Sequence, residues 1–417
     1  MSKRIRYIVL LGDGMADRPL AELDGQTPLM AARTPNMDRI ASEGVLGMVR
    51  TIPEGMALGS DVANLAVLGY DPGAVYTGRS PIEAAGMGVD LGIGDVAYRC
   101  NLVTLGKGSP RHTDTDLAGE LSPELFMVDF AGGHPSGEEA GDIISSLADG
   151  LGEEGIEFHP GVSYRHLMVW RNGQEELDVG PPHDLTDKRI EEGWPRGAAA
   201  EKVLDLVTRS VGLLADHPVN VKRQSEGKKP INAIWLWGQG LKPGMNDFKD
   251  VYGLDGAMIT AVDLLRGLAV SIGFKVIDVP GATGYLDTNF EGKASAAVEA
   301  LKDVDIVYLH VEAPDEAGHS GSVTDKIKAM EDFDSRVVGP VLSGLEELGP
   351  HRVLLMPDHA TPIETKTHSG DPVPFAVYDS EISNGSGRTY DEACAASTGI
   401  HIENGHELMG KFIRKEL

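Results

Sequence analysis

Asp315 and His319 stand four apart in the stretch Asp-Glu-Ala-Gly-His, Asp358 and His359 are adjacent, and His368 follows nine residues after His359. A third carboxylate-bearing segment, near the N-terminus, supplies Asp13 in Gly12-Asp13-Gly14. A lone histidine in a loop is ordinarily a surface or hydrogen-bonded side chain. Three carboxylates and three imidazoles gathered at one place are different, because like charges crowd severely unless cations lie among them. Two divalent ions would relieve that crowding. Oxygen and nitrogen ligands without thiolate favour Mn²⁺ or Zn²⁺ over Ca²⁺, with Mg²⁺ accommodated at the carboxylate-rich half. Ser60 is the candidate nucleophile. The loop Gly55-Met-Ala-Leu-Gly59 runs through it into residues 62–68, apolar at helical spacing, which puts Ser60 at an N-cap. The residues alone leave two readings of Ser60 level. Its hydroxyl either only caps that helix, or is deprotonated by a cation and backed by helix N–H groups that stabilise phosphate oxygens.

The elements that must position these groups are strands. Residues 5–11 form a continuous apolar run ending at Asp13, the pattern of a parallel strand buried on both faces. Asp305-Ile-Val-Tyr-Leu-His-Val311 leads into Glu312-Ala-Pro-Asp315, Arg352-Val-Leu-Leu-Met356 into Pro357-Asp358-His359, and Lys275-Val-Ile-Asp-Val279 into Pro280-Gly281. Helical patterns intervene: Thr34-Pro35 opens residues 36–42, residues 257–272 are amphipathic, and residues 323–348 are long and mixed in charge. Alternating strand and helix predicts an α/β fold with a doubly wound, mostly parallel sheet, whose sites collect beyond the carboxyl ends of the strands.

The middle of the chain breaks this pattern. Short apolar segments such as 97–105 and 163–170 are separated by acidic, Gly- and Pro-rich stretches, which predicts a smaller α+β domain over 88–242, inserted into a domain formed by 1–87 and 243–417. Glycines in Gly86-Met-Gly88 and Lys242-Pro-Gly244 suit hinges at the joins. Ser225-Glu-Gly-Lys-Lys-Pro230 reads as a polar surface loop. Gly150-Leu-Gly-Glu-Glu-Gly155 matches a dinucleotide fingerprint in letters only: a helical stretch precedes it, and Glu153 and Glu154 stand where an anion would bind. No internal repeat is visible.

Composition narrows the function. Lys and Arg total 37 against 64 Asp and Glu, a formal charge of −27 that repels nucleic acid and anionic membranes. Two cysteines in 417 residues make no disulfide framework, so a reducing, cytoplasmic setting is expected. The start Met1-Ser-Lys-Arg-Ile-Arg6 is basic, but the apolar run after it is too short for a signal peptide or membrane span, and no other stretch approaches 18 apolar residues. Asn384-Gly-Ser386 fits a glycosylation acceptor that has no meaning in such a compartment.

Asp13, Ser60, Asp315, His319, Asp358, His359 and His368 together occur in the order used by the alkaline phosphatase superfamily. More closely, the chain resembles the archaeal-type cofactor-independent (2,3-bisphosphoglycerate-independent) phosphoglycerate mutases, a group with bacterial members. The likeness is carried by Leu11-Gly-Asp-Gly-Met-Ala-Asp17, Thr34-Pro-Asn-Met-Asp38, Gly59-Ser-Asp-Val-Ala-Asn64, Leu68-Gly-Tyr-Asp-Pro72, Tyr76-Thr-Gly-Arg79, Pro280-Gly-Ala-Thr-Gly-Tyr-Leu-Asp-Thr288 and Glu312-Ala-Pro-Asp-Glu-Ala-Gly-His319. These segments run almost from end to end.

That resemblance implies an alkaline-phosphatase-like fold and two divalent metal ions, Mn²⁺ foremost with Zn²⁺ or Mg²⁺ as alternatives, and no 2,3-bisphosphoglycerate. Asp315, His319 and His368 would hold one ion, and Asp13, Ser60, Asp358 and His359 the other. Ser60 would take the phosphoryl group of 3-phosphoglycerate and return it to the 2-hydroxyl. The inserted domain would contact the organic part of this small phosphorylated metabolite, with Arg79, Arg99, Asn101, Arg165, His183 and Gln239 as candidates. One departure matters: where archaeal members carry an arginine-rich Asp-Arg-Arg-Ala-Gly-Arg stretch, this chain has Asp129-Phe-Ala-Gly-Gly-His134, without guanidinium forks for a phosphorylated carboxylate. With Arg79-Ser-Pro-Ile-Glu83 and Arg99-Cys-Asn-Leu102, it resembles a bacterial branch proposed to phosphorylate homoserine. Phosphoryl transfer to homoserine and metal-dependent phosphate hydrolysis are the alternative activities. A non-catalytic scaffold that kept the fold would show lost ligands, and all seven positions are present.

Overall fold

Arg6–Gly12 has no polar alternation, so both its faces need covering, and a central position in a parallel sheet supplies that. In the computed structural model, which describes residues 4–109, 112–382, 385 and 387–417, it takes that position. The extreme N-terminal residues 1–3, and Asn384 and Ser386 of the acceptor sequence, lie outside the described residues. The strands in chain order are β1 (Arg6–Gly12), β2 (Val45–Val49), β3 (Val96–Ser109), β4 (His112–Asp114), β5 (Phe126–Asp129), β6 (Ile156–Val162), β7 (Arg165–Trp170), β8 (Ala233–Leu241), β9 (Gly256–Ile259), β10 (Lys275–Val276), β11 (Ile306–Val311), β12 (His351–Met356), β13 (Val373–Asp379) and β14 (His401–Ile402).

The chain divides into two compact units, Met1–Tyr76 with Gly244–Leu417, and Thr77–Pro243. The first unit carries an eight-stranded sheet in the order β10-β9-β11-β1-β12-β13-β2-β14. Only β13 runs antiparallel to its neighbours, so the sheet is mostly parallel, as expected. Ile8 and Leu10 of β1 pack in one core with Phe333 and Val341 from the helices that follow β11. Tyr7, pointing the other way, meets Phe412 of the helix Glu407–Arg414 edge-on at 5.6 Å between ring centres. Helices therefore cover both faces of this sheet.

Residues 257–272 are not one helix. Gly256-Ala-Met-Ile259 is a wholly buried strand paired with β11, and the helix is Asp263–Ser271. A four-residue buried strand has no room to show a period of its own, so it merges with the helix pattern after it. Residues 323–348 are helical throughout but change pitch: Val323–Phe333 and Gly339–Leu348 flank a π-turn, Asp334–Val338. Pro340 has no N–H to give the carbonyl four residues back, which marks the same place. At that turn the Asp334 carboxylate accepts the N–H groups of Asn36 at 2.9 Å and Met37 at 2.8 Å. It thereby caps the helix Pro35–Glu43, whose own N-cap residue Thr34 makes no side-chain capping bond.

The second unit carries a six-stranded antiparallel sheet in which β3 pairs with β4, β5, β7 and β8, and β7 with β6. Its first boundary falls at 76/77 rather than 87/88. The helix Arg79–Gly86 belongs to this unit, since Ser80 Oγ donates to Gly238 O at 2.5 Å and Thr77 Oγ1 to Leu241 O at 2.6 Å. Gly86-Met-Gly88 therefore lies inside the unit, at the end of that helix, and not at a join. Gly150 and Gly152 end the helix Gly137–Leu151, so the letters of the dinucleotide fingerprint mark a helix C-terminus, where carbonyls point out and anions are unwelcome. Among the described residues no helix is long and apolar enough to cross a membrane.

Candidate active site

The adjacent parallel strands β11, β1 and β12 deliver the acidic groups from their carboxyl ends. Asp13 follows β1 directly, Asp358 and His359 follow β12, and Asp315 and His319 lie on the helix Ala313–Ser320 that starts just after β11. His368 comes from the loop between β12 and β13. Gly14, with φ of 61°, lets these segments close up: a Cβ there would lie 2.6 Å from Asp315 Oδ1 and 2.6 Å from Thr361 Oγ1.

Two clusters result, each able to hold a metal ion: Asp315, His319 and His368, and Asp13, Asp358 and His359, with the ligand atoms of each within 4.8 Å of one another. In the second cluster, Ser60 Oγ lies 3.1 Å, Asp358 Oδ2 3.4 Å and Asp13 Oδ1 3.5 Å from His359 Nε2. In the first, Asp315 Oδ2 lies 3.2 Å from His319 Nε2, and Oδ1 3.5 Å from His368 Nε2. The clusters adjoin, with the His359 and His368 rings 4.0 Å apart at their centres. All seven residues singled out in the sequence thus come together. Ser60 differs in one respect: the N-cap is Gly59, and Ser60 is the first helical residue of Ser60–Val67. Its hydroxyl turns to His359 instead of capping the helix, which counts against the purely structural reading.

The chemistry of the donor set fits cations. Asp13 Oδ1 is buried without a hydrogen-bond partner, a costly state for a carboxylate oxygen unless something positive reaches it. His319 and His368 have their Nδ1 atoms 3.0 Å from Lys366 O and 3.2 Å from Leu58 O, so each Nδ1 carries the hydrogen it donates. Their Nε2 atoms then face each other at 3.0 Å, and two lone pairs cannot do so without a proton or a metal between them. The hydrogen bond to Asp315 pushes His319 up to about 9. Burial works to raise Asp315, but the bonds from His319 and His368 outweigh it and hold its carboxyl well below the usual range. Burial and the Asp358 and Asp315 charges push Asp13 the other way, well up. A site with this much unrelieved charge is built to be neutralised by bound cations.

Several orienting residues escaped the sequence reading. Asn64 Nδ2 donates to Ser60 O at 2.8 Å and to Asp358 Oδ2 at 2.7 Å, while its Oδ1 accepts from Tyr308 at 2.5 Å. Thr51 Oγ1 donates to Asp358 O at 2.5 Å, and Thr361 Oγ1 donates to Asp315 Oδ1. His310 Nε2 lies 2.8 Å from Asp13 Oδ2. Asn64 and His310 stand inside quoted motifs, but a polar residue within an apolar strand or helix has no spacing signature that separates an orienting role from ordinary packing.

Glu83 pairs with both Arg79 at 2.8 Å and Arg99 at 2.5 Å, and Arg99 lies over Trp237, 5.4 Å from its ring centre. Burial pulls Arg99 down to about 10, so it stays charged at neutral pH. Asn101 holds Phe130 O at 3.2 Å and accepts from Trp237 Nε1 at 3.0 Å, and it pairs across the strands with Arg165. Arg165 lies over Tyr164, and His183 meets Trp237 and Phe130 edge-on. Four of the six candidates, Arg99, Asn101, Arg165 and His183, therefore border one group of aromatic rings, Phe130, Tyr164 and Trp237, that the sequence reading did not single out, and Arg79 shares Glu83 with Arg99. Gln239 is set apart, its amide donating to Leu177 O at 2.6 Å and Glu175 O at 3.3 Å. In the stretch without arginines, Asp129 is paired with Lys229 at 2.9 Å and His134 packs on Tyr164.

Paired Asp–His clusters beside a serine, at the carboxyl edge of a mostly parallel sheet, define a centre suited to metal-assisted phosphoryl chemistry. Comparison with known proteins places that centre in a family. A model of the 2,3-bisphosphoglycerate-independent phosphoglycerate mutases matches residues 41–220. A Geobacter sulfurreducens protein described as a probable 2,3-bisphosphoglycerate-independent phosphoglycerate mutase is 52% identical over 97% of this chain and 98% of its own. A Methanothrix thermoacetophila protein described as a 2,3-bisphosphoglycerate-independent phosphoglycerate mutase is 51% identical over 97% of this chain and 98% of its own. The solved structure of the PH0037 protein from Pyrococcus horikoshii is similar with a TM-score of 0.80 and 30% identity, over 99% of this chain and 97% of that one. The chain belongs to the 2,3-bisphosphoglycerate-independent phosphoglycerate mutase family.

Proposed function

We propose that the protein interconverts 3-phosphoglycerate and 2-phosphoglycerate in the cytoplasm, passing the phosphoryl group through Ser60 with two divalent cations, Mn²⁺ foremost, and without 2,3-bisphosphoglycerate. The observation that carries this reading is the convergence of Ser60 Oγ on His359, Asp358 and Asp13 beside a second Asp–His–His cluster. Asp315, His319 and His368 would hold one cation, and Asp13, Asp358, His359 and Ser60 the other. When bound, such ions neutralise phosphoryl oxygens and make a hydroxyl acidic enough to attack at neutral pH. Ser60 Oγ then bonds to phosphorus as the ester bond to the 3-oxygen breaks and that oxygen takes up a proton, all at the N-terminus of the helix Ser60–Val67, whose dipole favours the anion formed. The glycerate stays in place, its 2-oxygen attacks the phosphoserine, and the serine oxygen leaves. The arginines around Phe130, Tyr164 and Trp237 suit the substrate carboxylate. Cys100 and Cys394 are free thiols, in keeping with a reducing compartment.

The experiment is direct. Metal-stripped protein should be inactive, and added Mn²⁺ should restore formation of 2-phosphoglycerate from 3-phosphoglycerate. Parallel assays follow ATP-dependent phosphorylation of homoserine and release of free phosphate. Homoserine phosphorylation or phosphate release exceeding mutase turnover would replace this reading.

A further inference from the structure

We propose that Thr260 and His310 form a positioning relay for Asp13, holding one carboxylate oxygen so that the other is presented bare to a cation. His310, at the end of β11, is fully buried and belongs to neither Asp–His cluster. Its Nε2 lies 2.8 Å from Asp13 Oδ2, while Asp13 Oδ1 is the buried oxygen without a hydrogen-bond partner. Its Nδ1 lies 3.2 Å from Thr260 Oγ1, which already accepts the Val262 N–H at 3.0 Å. The hydrogen positions follow. A carboxylate that meets a cation is ionised and only accepts, so with the cation in place His310 Nε2 must carry the hydrogen. The bare Nδ1 of a neutral ring must then accept, and the Thr260 hydroxyl, its oxygen occupied by Val262, donates to it. Lys293 Nζ, also buried, ties the His310 carbonyl from the other side at 3.1 Å, so the ring rides on a fixed backbone.

The relay performs two tasks. It commits His310 to a single tautomer with Nε2 protonated, which removes it from competition as a metal ligand. It also leaves Asp13 with two unlike oxygens, one saturated and one free, so the carboxylate meets a cation through one oxygen in a set direction. The same strand orients the neighbouring carboxylate: Tyr308, two residues earlier, holds Asn64, and Asn64 holds Asp358. Alternate residues of β11 thus set both acids of one cluster.

This inference rests on the two-cation reading above, and the test separates the two. Mn²⁺ uptake is measured by EPR on metal-stripped wild type, His310→Leu, His310→Gln, Thr260→Val and Thr260→Ser, with the thermal midpoint of each metal-free protein as a folding control. Wild type should bind two equivalents. His310→Leu should weaken one of them by about 10- to 100-fold, and His310→Gln, whose amide can reach Asp13, should recover most of the loss. Thr260→Val, close in shape and leaving Asp13 and His310 in place, should weaken the same equivalent, and Thr260→Ser should restore it. In wild type loaded with diamagnetic Zn²⁺ the ¹⁵N shifts of His310 should report a protonated Nε2. Two equivalents of unchanged affinity in folded Thr260→Val and His310→Leu would overturn the relay alone. Absence of divalent-ion binding by wild type would overturn the relay and the cation reading together.

Discussion

Ser60 shows what one position along a helix decides. The residue types Gly-Ser-Asp make a serine N-cap the ordinary expectation, yet Gly59 occupies that place with its backbone alone, and the Ser60 hydroxyl is left to the Asp–His cluster. Removing an N-cap hydroxyl costs about 1 kcal/mol, and here no such cost applies. Ser60→Ala should therefore leave the thermal midpoint nearly unchanged and the two clusters able to take up metal, since Asp and His supply most of the ligands. Mutase turnover should fall by at least about a thousandfold, as for loss of other covalent carriers. Steady-state rates beside Mn²⁺ titration check this. An alanine variant keeping a tenth of wild-type turnover rules out transfer through the serine.

At the scale of elements, the loops bearing the clusters are anchored from behind by groups that take no part in the chemistry. Glu392, in the first turn of Glu392–Ser397, accepts the Asp17 N–H at 3.0 Å and the Thr27 hydroxyl at 2.7 Å. Lys326 Nζ, fully buried, joins Asp17 Oδ2 at 2.8 Å to Thr361 O at 2.8 Å. Burial pushes the Glu392 carboxyl up from 4.5 to about 7. A raised carboxyl means the folded state binds the proton more tightly than the unfolded chain, so this contribution is full below pH 4.5 and is lost as pH rises towards 7. Glu392→Gln, whose amide oxygen still accepts from Asp17 and whose NH₂ can donate to the Thr27 oxygen as the protonated acid would, should match wild-type stability near pH 4.5. It should exceed it above pH 7 by something on the order of 1 kcal/mol. Urea unfolding of both proteins across that range measures the gap, and two parallel curves would mean Glu392 ionises as it does in water.

The same scale explains what the sequence could and could not convey. Strands β1, β11 and β12 were legible because each is apolar on both faces and ends in a carboxylate, a pattern helices do not produce. Strand β9 was not, because four buried residues preceding an amphipathic helix extend its apolar stretch. Strands β2 and β13 pair only through contacts far apart in the chain, Val45 with Val377 among them, and no local period announces such pairing. The seven cluster residues could be read from type and spacing. Thr260, Asn64 and His310 could not, since their roles exist only once β9, β11 and the helix Ser60–Val67 are side by side.

At the scale of the whole molecule, Thr77–Pro243 is one continuous stretch with a complete sheet and cores built from its own residues, such as Tyr98, Leu147 and Leu206 in one and Val103, Met127 and Trp235 in another. Its two ends lie side by side. Thr77 Oγ1 donates to Leu241 O at 2.6 Å, and the backbones approach so closely that a Cβ on Gly240 would lie 2.5 Å from Thr77 O and one on Gly78 2.1 Å from Gln239 O. A unit that leaves and returns at one point, carrying its own core, should be separable. Residues 77–243 expressed alone should fold, with a single cooperative thermal transition and dispersed amide resonances. The complement, residues 1–76 joined to 244–417 by a short Gly-Ser linker, should bind Mn²⁺ at both Asp–His clusters, because every ligand is retained. On the proposed function it should form no 2-phosphoglycerate, because the candidate substrate residues Arg79, Arg99, Asn101 and Arg165 have gone with the excised piece. Mutase activity in the complement would show that the inserted unit does not hold the substrate, and a molten 77–243 fragment would show that its core is incomplete without the rest of the chain.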